Sequence, residues 1–275
     1  MPHRPIITLT TDFGLHDHFV GTVKGVILSI LPDAEIVDIS HSVQAFDLLD
    51  GALTVAAAYS YFPAGTVHLV VVDPGVGSAR RPIIASTEKH EFVAPDNGVL
   101  SLIYQREKRL RVHAINAPHY YLQPVSQTFH ARDIFGPVAA YIAKGVAVAK
   151  FGEEVADFVR ISIPRPQPVD DRRLLGTVLK VDAFGNLITN ISTAEIPALL
   201  QPSGLRLSLA VGGRALGGGL KTAYAEGAPG EVFGIVGSMG YLEIVANRQS
   251  AAQILGMGKG AEVALIADAS AAATG

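Results

Sequence analysis

Between Ile163 and Asp171 the chain reads IPRPQPVDD, three prolines in nine residues, and neither a helix nor a central strand can run through it. Proline lacks the amide hydrogen that a helix interior or a mid-sheet ladder needs, and its fixed φ stiffens the backbone. The 275 residues therefore divide into an amino-terminal part, 1–162, and a carboxyl-terminal part, 172–275, joined by a 163–171 linker. Before the linker, strand and helix patterns alternate. IITLTTD (Ile6 to Asp12) is a β-branched run ending in an Asp-Phe-Gly turn, and Val20, Val23, Ile27, Ile30 and Leu31 then recur at helical spacing up to Pro32. EIVDIS reads as a strand, Ala45 to Phe62 as a second helix stopped by Pro63, and VHLVVVD (Val67 to Asp73) as an apolar strand from the middle of a sheet. PIIAS, EFVAP and the segment around Val112 are further strands, and Asp133 to Ala143 is a helix apolar on Ile134, Val138 and Ile142. The expectation is an α/β domain with a mixed or parallel central sheet covered on both faces.

After the linker, short strands split by glycines take over: LLGTVLKVDAFGNLITNI, LRLSLAVGG, EVFGIVG, YLEIVAN and EVALIAD. Only TAEIPALL and AAQILG could be short helices, so the second part is expected to be a smaller, all-β, barrel-like antiparallel domain. An Ala-rich tail from Ala267 reads as frayed.

Several function classes drop out on composition. Cysteine is absent, which excludes a thiolate zinc site, a disulfide framework and a cysteine nucleophile, and fits a reducing compartment. Pro5 and Asp12 interrupt the start before it can supply a secretory leader, and no apolar run reaches the length of a membrane span. A net charge of −3 gives no general attraction for nucleic acid, and the one basic cluster, REKRLR (Arg106 to Arg111), reads as a solvated helix end. The chain reads as a cytoplasmic protein directed at a small molecule, with neither nucleic acid nor membrane as a partner.

Polar clusters at strand ends are the candidate site, because open α/β sheets bind ligands at the carboxyl ends of their strands. The first is TTDFGLHDHF, with Asp12, His16, Asp17 and His18. The second is VDPGVGSARR, with Asp73, Arg80 and Arg81; the third is TFHARD, with His130, Arg132 and Asp133. The fourth, VDAFGNLITN, carries Asp182, Asn186 and Asn190 in the β part. A kinase reading of Asp12-Phe13-Gly14 fails, since only eleven residues precede it. A metal reading has suitable ligand types, yet His16 and His18 point to different sides of a helix start and no HExxH supports them. We assign no metal. Asp17 can instead cap the helix that follows, with His16 and His18 solvated. GVGSAR lacks the third glycine of a dinucleotide loop and is followed by a strand, and GGGLKT lacks the Gly-Lys pair of a phosphate loop. What those exclusions leave is Asp73, a carboxylate at the end of a buried strand, which needs a partner. Arg80 can supply it across the turn, and His130 can complete an Asp–Arg–His group able to position and deprotonate water. The same Asp73–Arg80 pair can also be a plain salt bridge.

Taken together, TTDFG, VDPGVGSARR, APDNG, TFHARDIFGPVAA, VDAFGNLITNI and GSMGYLEIVANRQSAAQ resemble, in order and almost end to end, the S-adenosylmethionine (SAM) hydroxide adenosyltransferases, or SAM hydrolases, relatives of the fluorinase and chlorinase. The resemblance implies an α/β domain and a β barrel, homotrimers with SAM bound between the first domain of one subunit and the second of its neighbour, and attack of water or hydroxide at C5′ to release adenosine and L-methionine. It needs no cofactor, SAM being the substrate. It places the catalytic group on Asp73, Arg80 and His130. Asp12 would hold the ribose hydroxyls, Asp17 the methionine amino end, and Phe46 and Phe129 would pack on the ligand. In the second domain Asp182 would anchor the ammonium, Phe184 and Asn186 would meet adenine, and Ser238 the carboxylate, with Met239 where the fluorinase has an arginine. The fluorinase's halide-binding tyrosine, threonine and serine fall on Asp73, Val76 and Ala131, and a carboxylate would repel a halide. A SAM-dependent halogenase and a non-catalytic SAM or adenosine sensor are the alternatives.

Overall fold

A computed structural model describes residues 4–196 and 205–269, and the chain falls into two units, Met1–Ser162 and Ile163–Gly275. In the first unit the apolar, β-branched runs become six strands: β1 (Ile6–Thr11), β2 (Glu35–Ser40), β3 (Val67–Val71), β4 (Pro82–Ser86), β5 (Glu91–Pro95) and β6 (Arg111–Ala114). Their order in the sheet is β2-β1-β3-β5-β4-β6. The first four in that order are parallel neighbours, while β4 runs antiparallel to both β5 and β6, so the sheet is mixed. β2 lies on one side of β1 and β3 on the other. The chain runs from β1 out to β2 and then back across β1 to β3, so the winding reverses beside β1, where such sheets open a crevice at the carboxyl ends of their strands.

Both faces of this sheet are covered. Val23 and Ile27 of α1 (Phe19–Ile30) and Phe135, Val138 and Ala139 pack with Ile7, Leu9, Leu69 and Val71 on one face. On the other, α2 (Leu48–Ala58) comes so close that a Cβ on Gly51 would sit 3.0 Å from Val72. The second helix is shorter than its apolar pattern predicts. Phe46 takes a left-handed φ of 65°, and Asp47 then caps the helix by accepting from the backbone amides of Leu49 and Asp50. A 3-10 turn, Tyr59–Tyr61, follows before Pro63. The basic cluster is only partly a helix end: α3 (Ser101–Arg106) stops at its first arginine, whose guanidinium donates to the carbonyl of Ala56, and Arg111 already lies in β6, paired with Glu154.

The last helix of this unit also differs from expectation. Ala131–Phe135 forms a π turn and only Gly136–Ala143 is α-helix (α4). Pro137 has no N–H to offer the carbonyl of Asp133, and Leu122 donates to that carbonyl instead, at 2.8 Å. The extra residue of the π turn sits directly after His130.

In the second unit, nine strands form one curled sheet: β7 (Gln167–Asp170), β8 (Arg173–Val181), β9 (Leu187–Ser192), β10 (Leu205–Val211), β11 (Arg214–Leu216), β12 (Leu220–Lys221), β13 (Val232–Val236), β14 (Tyr241–Ala246) and β15 (Glu262–Ala269). Its core is built from Val178, Leu187, Ile191, Leu209, Leu242, Ile244, Val263 and Leu265. Among the described residues, edge strands β11 and β12 do not pair with each other, so the sheet is a half-barrel rather than a closed one. The β12–β13 pair is parallel, against the expected all-antiparallel pattern. Pro168 of the proline-rich stretch lies in β7, an edge strand pairing only with β8, where a missing donor is tolerated. AAQILG supplies α5 (Ala251–Leu255), capped by Ser250 and ended by Gly256 at a φ of 67°. TAEIPALL opens with a turn at Thr193–Glu195, Ile196 is helical, and its last four residues lie outside the described ones. Ala267 belongs to β15, while the tail beyond residue 269 is likewise outside. Among the described residues no helix is long and apolar enough to cross a membrane.

Candidate active site

At the end of β1 the chain turns sharply through Asp12, Phe13 and Gly14, the glycine at a φ of 68° that a side chain would strain. This sets Asp12 at the mouth of a cavity of about 280 Å³, where its Oδ2 accepts a hydrogen bond from the backbone N–H of Phe46 at 2.9 Å. Phe46 is therefore held in its left-handed conformation by the same carboxylate it flanks, and its ring is 71% exposed. Phe13, Phe19 and Phe129 meet edge to face or tilted, with centroids 5.2 to 6.3 Å apart, and make the apolar wall.

Asp73 and His130 line the same cavity. Beyond β3, the Asp73–Arg80 turn closes tightly: Gly77 has a φ of 79°, and a Cβ there would run into the carbonyl of Gln127. Arg80 folds back so that its Nε donates to Asp73 Oδ1 at 2.9 Å and its Nη2 to Asp73 Oδ2. The same Nη2 lies 2.7 Å from His130 Nδ1. Both side chains of the ion pair are nearly buried, 8% and 6% exposed, and the guanidinium also stacks over the Phe135 ring. Arg80 Nη1 is buried with no partner among the described residues.

This contact decides the histidine's tautomer. A guanidinium stays protonated and can only donate, so Nδ1 of His130 must accept and the neutral ring carries its hydrogen on Nε2. Burial first, and then the charge of Arg80, hold the imidazole below its ordinary value of 6.5 against the opposing pull of Asp73 and Asp133. His130 is set in place by the turn that follows it. Asp133 is fully buried and accepts from the backbone of Ser126 at 2.8 Å and from Arg132 at 2.6 and 2.9 Å, which ties down the loop on both sides of the ring.

The second unit has its own cavity, of about 570 Å³, in which Phe184 and Asn186 face Tyr224, Arg248 and Ser250. Asp182 lies behind it: its Oδ1 accepts from the amides of Phe184 and Asn186, and its Oδ2 from the Asn186 side chain, all at 2.8 to 2.9 Å. Ser238 and Met239 sit in the turn between β13 and β14 and do not line this cavity. The neighbouring Gly237 packs against the carboxylate of Glu243, which burial and then the charge of Asp182 push above its usual range.

Of the residues expected at the first site, Asp12, Phe46, Asp73, Phe129 and His130 come together around one cavity, with Arg80 behind them. Asp17 does not line it; it is exposed, as are His16 and His18. Nor does Asp17 cap α1: the capping position is His18, which makes no side-chain bond to the helix. Phe13, Phe19, Tyr224 and Arg248 were not expected from the sequence. The two phenylalanines look like ordinary core residues, but the φ of 58° at Arg248 marks a turn that a run such as ANRQS can signal.

Strand-end placement, an aromatic-walled cavity and a buried Asp–Arg–His group define the class: a two-domain α/β enzyme acting on a small molecule. Residues 7–152 match the SAM hydroxide adenosyltransferase N-terminal domain and residues 176–264 the C-terminal domain of the same family. The chain belongs to the SAM hydroxide adenosyltransferase family. It is 37% identical to the (R)-S-adenosyl-L-methionine hydrolase of Salinispora tropica, covering 94% of this chain and 97% of that one. The hydrolase of the same description from Thermus thermophilus is 33% identical, covering 96% and 100%. A fluorinase from Nocardia brasiliensis is 29% identical over 90% of this chain and 92% of its own. The crystal structure of an uncharacterized conserved protein from Thermotoga maritima superposes with a TM-score of 0.88 at 33% identity, over 94% of this chain and 99% of that one.

Proposed function

We propose that the protein hydrolyses SAM to adenosine and L-methionine by attack of hydroxide at C5′. The observation that carries this reading is the single guanidinium that binds Asp73 and His130 together at the wall of the cavity Asp12 also lines. The sulfonium is a good leaving group, so the reaction needs no general acid. A C5′–O bond forms as the C5′–S bond breaks, the bonding pair returns to the methionine sulfur, and one proton is released overall from the attacking water. What the site must supply is an oxygen nucleophile held in line and stripped of bulk water. His130 at the cavity wall carries its hydrogen on Nε2, and Arg80 directly behind it brings a fixed positive charge; both are suited to steadying an anionic oxygen. The tautomer supports a role for His130 as donor rather than as the base that takes the proton. Asp73 fixes the guanidinium, and Asp12, with two acceptor oxygens, takes the ribose hydroxyls.

The remaining assignments belong to the same proposal. No cofactor takes part. Phe46 at 71% and Phe184 at 80% exposure are aromatic walls open to solvent, and they support a homotrimer in which a neighbouring subunit's second domain, with Asp182, Phe184, Asn186, Ser238 and Met239, completes each site. Asp17 would meet the methionine amino end. A cytoplasmic location is supported by the lack of cysteine. A halide nucleophile is disfavoured because Asp73, Val76 and Ala131 share the cavity wall and present a carboxylate and two apolar groups instead of hydroxyl donors. A sensor would have no use for a buried Asp–Arg–His group. Incubation of pure, metal-free protein with SAM tests the proposal: adenosine and methionine in equal amounts support it, and no turnover above the buffer blank rejects it.

A further inference from the structure

Behind the Asp12 turn, a run of polar groups leads away from the cavity toward the surface. The backbone N–H of Phe13 donates to Thr11 Oγ1 at 3.3 Å, and Thr11 Oγ1 lies 2.8 Å from His41 Nδ1. His41 Nε2 lies 3.0 Å from Asp38 Oδ1, an approach too bent for a well-aligned hydrogen bond but close enough for strong attraction. Lys24 Nζ completes the run, donating to Asp38 Oδ2 at 2.6 Å. The histidine touches the turn a second time, since the amide of Gly14 donates to the His41 carbonyl at 2.8 Å. Thr11 and His41 are 4% and 5% exposed, and none of Thr11, His41, Asp38 and Lys24 lines the cavity.

The donors and acceptors along this run agree with one another. The amide of Phe13 can only donate, so Thr11 Oγ1 accepts from it, and the hydroxyl's own hydrogen is free to go to His41 Nδ1. A neutral His41 then carries its hydrogen on Nε2, facing Asp38. Burial works to raise the carboxyl of Asp38, but the bond from Lys24 and the attraction of His41 outweigh it and hold the group below its ordinary value, as a carboxylate. The geometry matters because Asp12 is itself lightly tied. Among the described residues its side chain is held by the amide of Phe46 alone, and the next residues are free to move about Gly14 unless their amides are held. The Thr11 hydroxyl, itself held by the His41 ring, takes the amide of Phe13, and the His41 backbone carbonyl takes that of Gly14.

We infer that His41 is a positioning residue for substrate binding: with Thr11, and supported by Asp38 and Lys24, it fixes the Thr11–Gly14 turn and so the Asp12 carboxylate. The inference rests on the proposed role of Asp12 toward the ribose. A misplaced carboxylate weakens binding of substrate and transition state alike, so the effect falls on KM and spares kcat.

Steady-state kinetics with SAM on the full-length wild type and on His41→Leu, His41→Asn, Thr11→Val and the Thr11→Val/His41→Leu double variant test it. His41→Leu and Thr11→Val should each raise KM about tenfold, the loss of one or two buried hydrogen bonds, with kcat within about threefold of wild type. His41→Asn, whose carbonyl oxygen can take the place of Nδ1 and accept the Thr11 hydroxyl, should recover most of the affinity. The double variant should bind no worse than the weaker single one, because both changes release the same turn. Thr11→Val is nearly isosteric and carries the test if His41→Leu fails to fold. An unchanged KM in Thr11→Val, a fall in kcat as large as the rise in KM, or no recovery in His41→Asn would overturn the inference while leaving SAM hydrolysis intact. A wild type that leaves SAM untouched would instead overturn the reading of the site, and this inference with it.

Discussion

Arg80 donates to Nδ1 of His130 across 2.7 Å while its other edge grips Asp73, so one planar cation sets the position of the carboxylate and the tautomer of the imidazole. A lysine could keep the charge but not this fork. Arg80→Lys should therefore lower kcat about 10²- to 10³-fold, the usual cost of losing a donor to a developing anion, with KM for SAM changed only a few-fold. Rapid-quench or steady-state turnover reads the result. Near-normal kcat in the lysine variant would show that only charge matters at this position.

The same contact predicts the acid limb of activity. Protonating His130 puts a hydrogen on Nδ1 facing the donor of Arg80, so the neutral ring is the competent form. Its pKa lies below 6.5, held down first by burial and then by Arg80. Activity should hold as pH falls through 6.5 and drop only below it, in proportion to the protonated fraction. A kcat/KM profile measures this. A limb centred above 6.5 would contradict the assigned tautomer.

Phe46 presents a trade between stability and binding. Its φ of 65° is costly for a phenylalanine, by about 1 kcal/mol or more, and its exposed ring contributes little burial in return. Phe46→Gly should leave thermal stability equal or higher and raise KM for SAM about tenfold. Melting curves and kinetics on the one variant separate the two effects.

Acid lability should trace to the far end of the sheet. His68 is fully buried, shares a hydrogen bond of 2.7 Å with Thr8, and burial, with a smaller contribution from His90, lowers its pKa to about 3. The folded state thus keeps the ring neutral while the unfolded chain takes up a proton below 6.5. Stability is present in full above that value and is lost as pH falls from it toward about 3, at roughly 1 kcal/mol per pH unit. His68→Gln should be less stable than wild type at neutral pH, yet lose less on going to about pH 5 in urea unfolding. An equal loss in both proteins would place the acid sensitivity elsewhere.

What could be read from the sequence, and what could not, divides along physical lines. The alternation of apolar runs, the proline-rich break and the glycine turns are local signals, and they located the strands, the change of texture and the Asp73–Arg80–His130 group. Helix limits set by single residues were not legible. The apolar pattern runs straight through Phe46 and Asp47, where a left-handed residue and a cap begin α2, and through Pro137, where a π turn interrupts the last helix. Pairing between distant strands, as in the parallel β12–β13 pair, leaves no local trace. In the site, His16 and His18 are exposed as expected, and Asp17 with them, whereas Phe19, unremarked among the apolar residues, and Phe13, noted only within the Asp-Phe-Gly turn, form the cavity wall.

The most direct test of the account is the fate of water oxygen. With SAM in ¹⁸O-water and chloride present, hydroxide attack at C5′ predicts one labelled oxygen in the 5′-hydroxyl of adenosine, none in methionine, and no halogenated nucleoside, all read in one mass spectrum. Unlabelled adenosine, label in methionine, or a 5′-chloro product would contradict it.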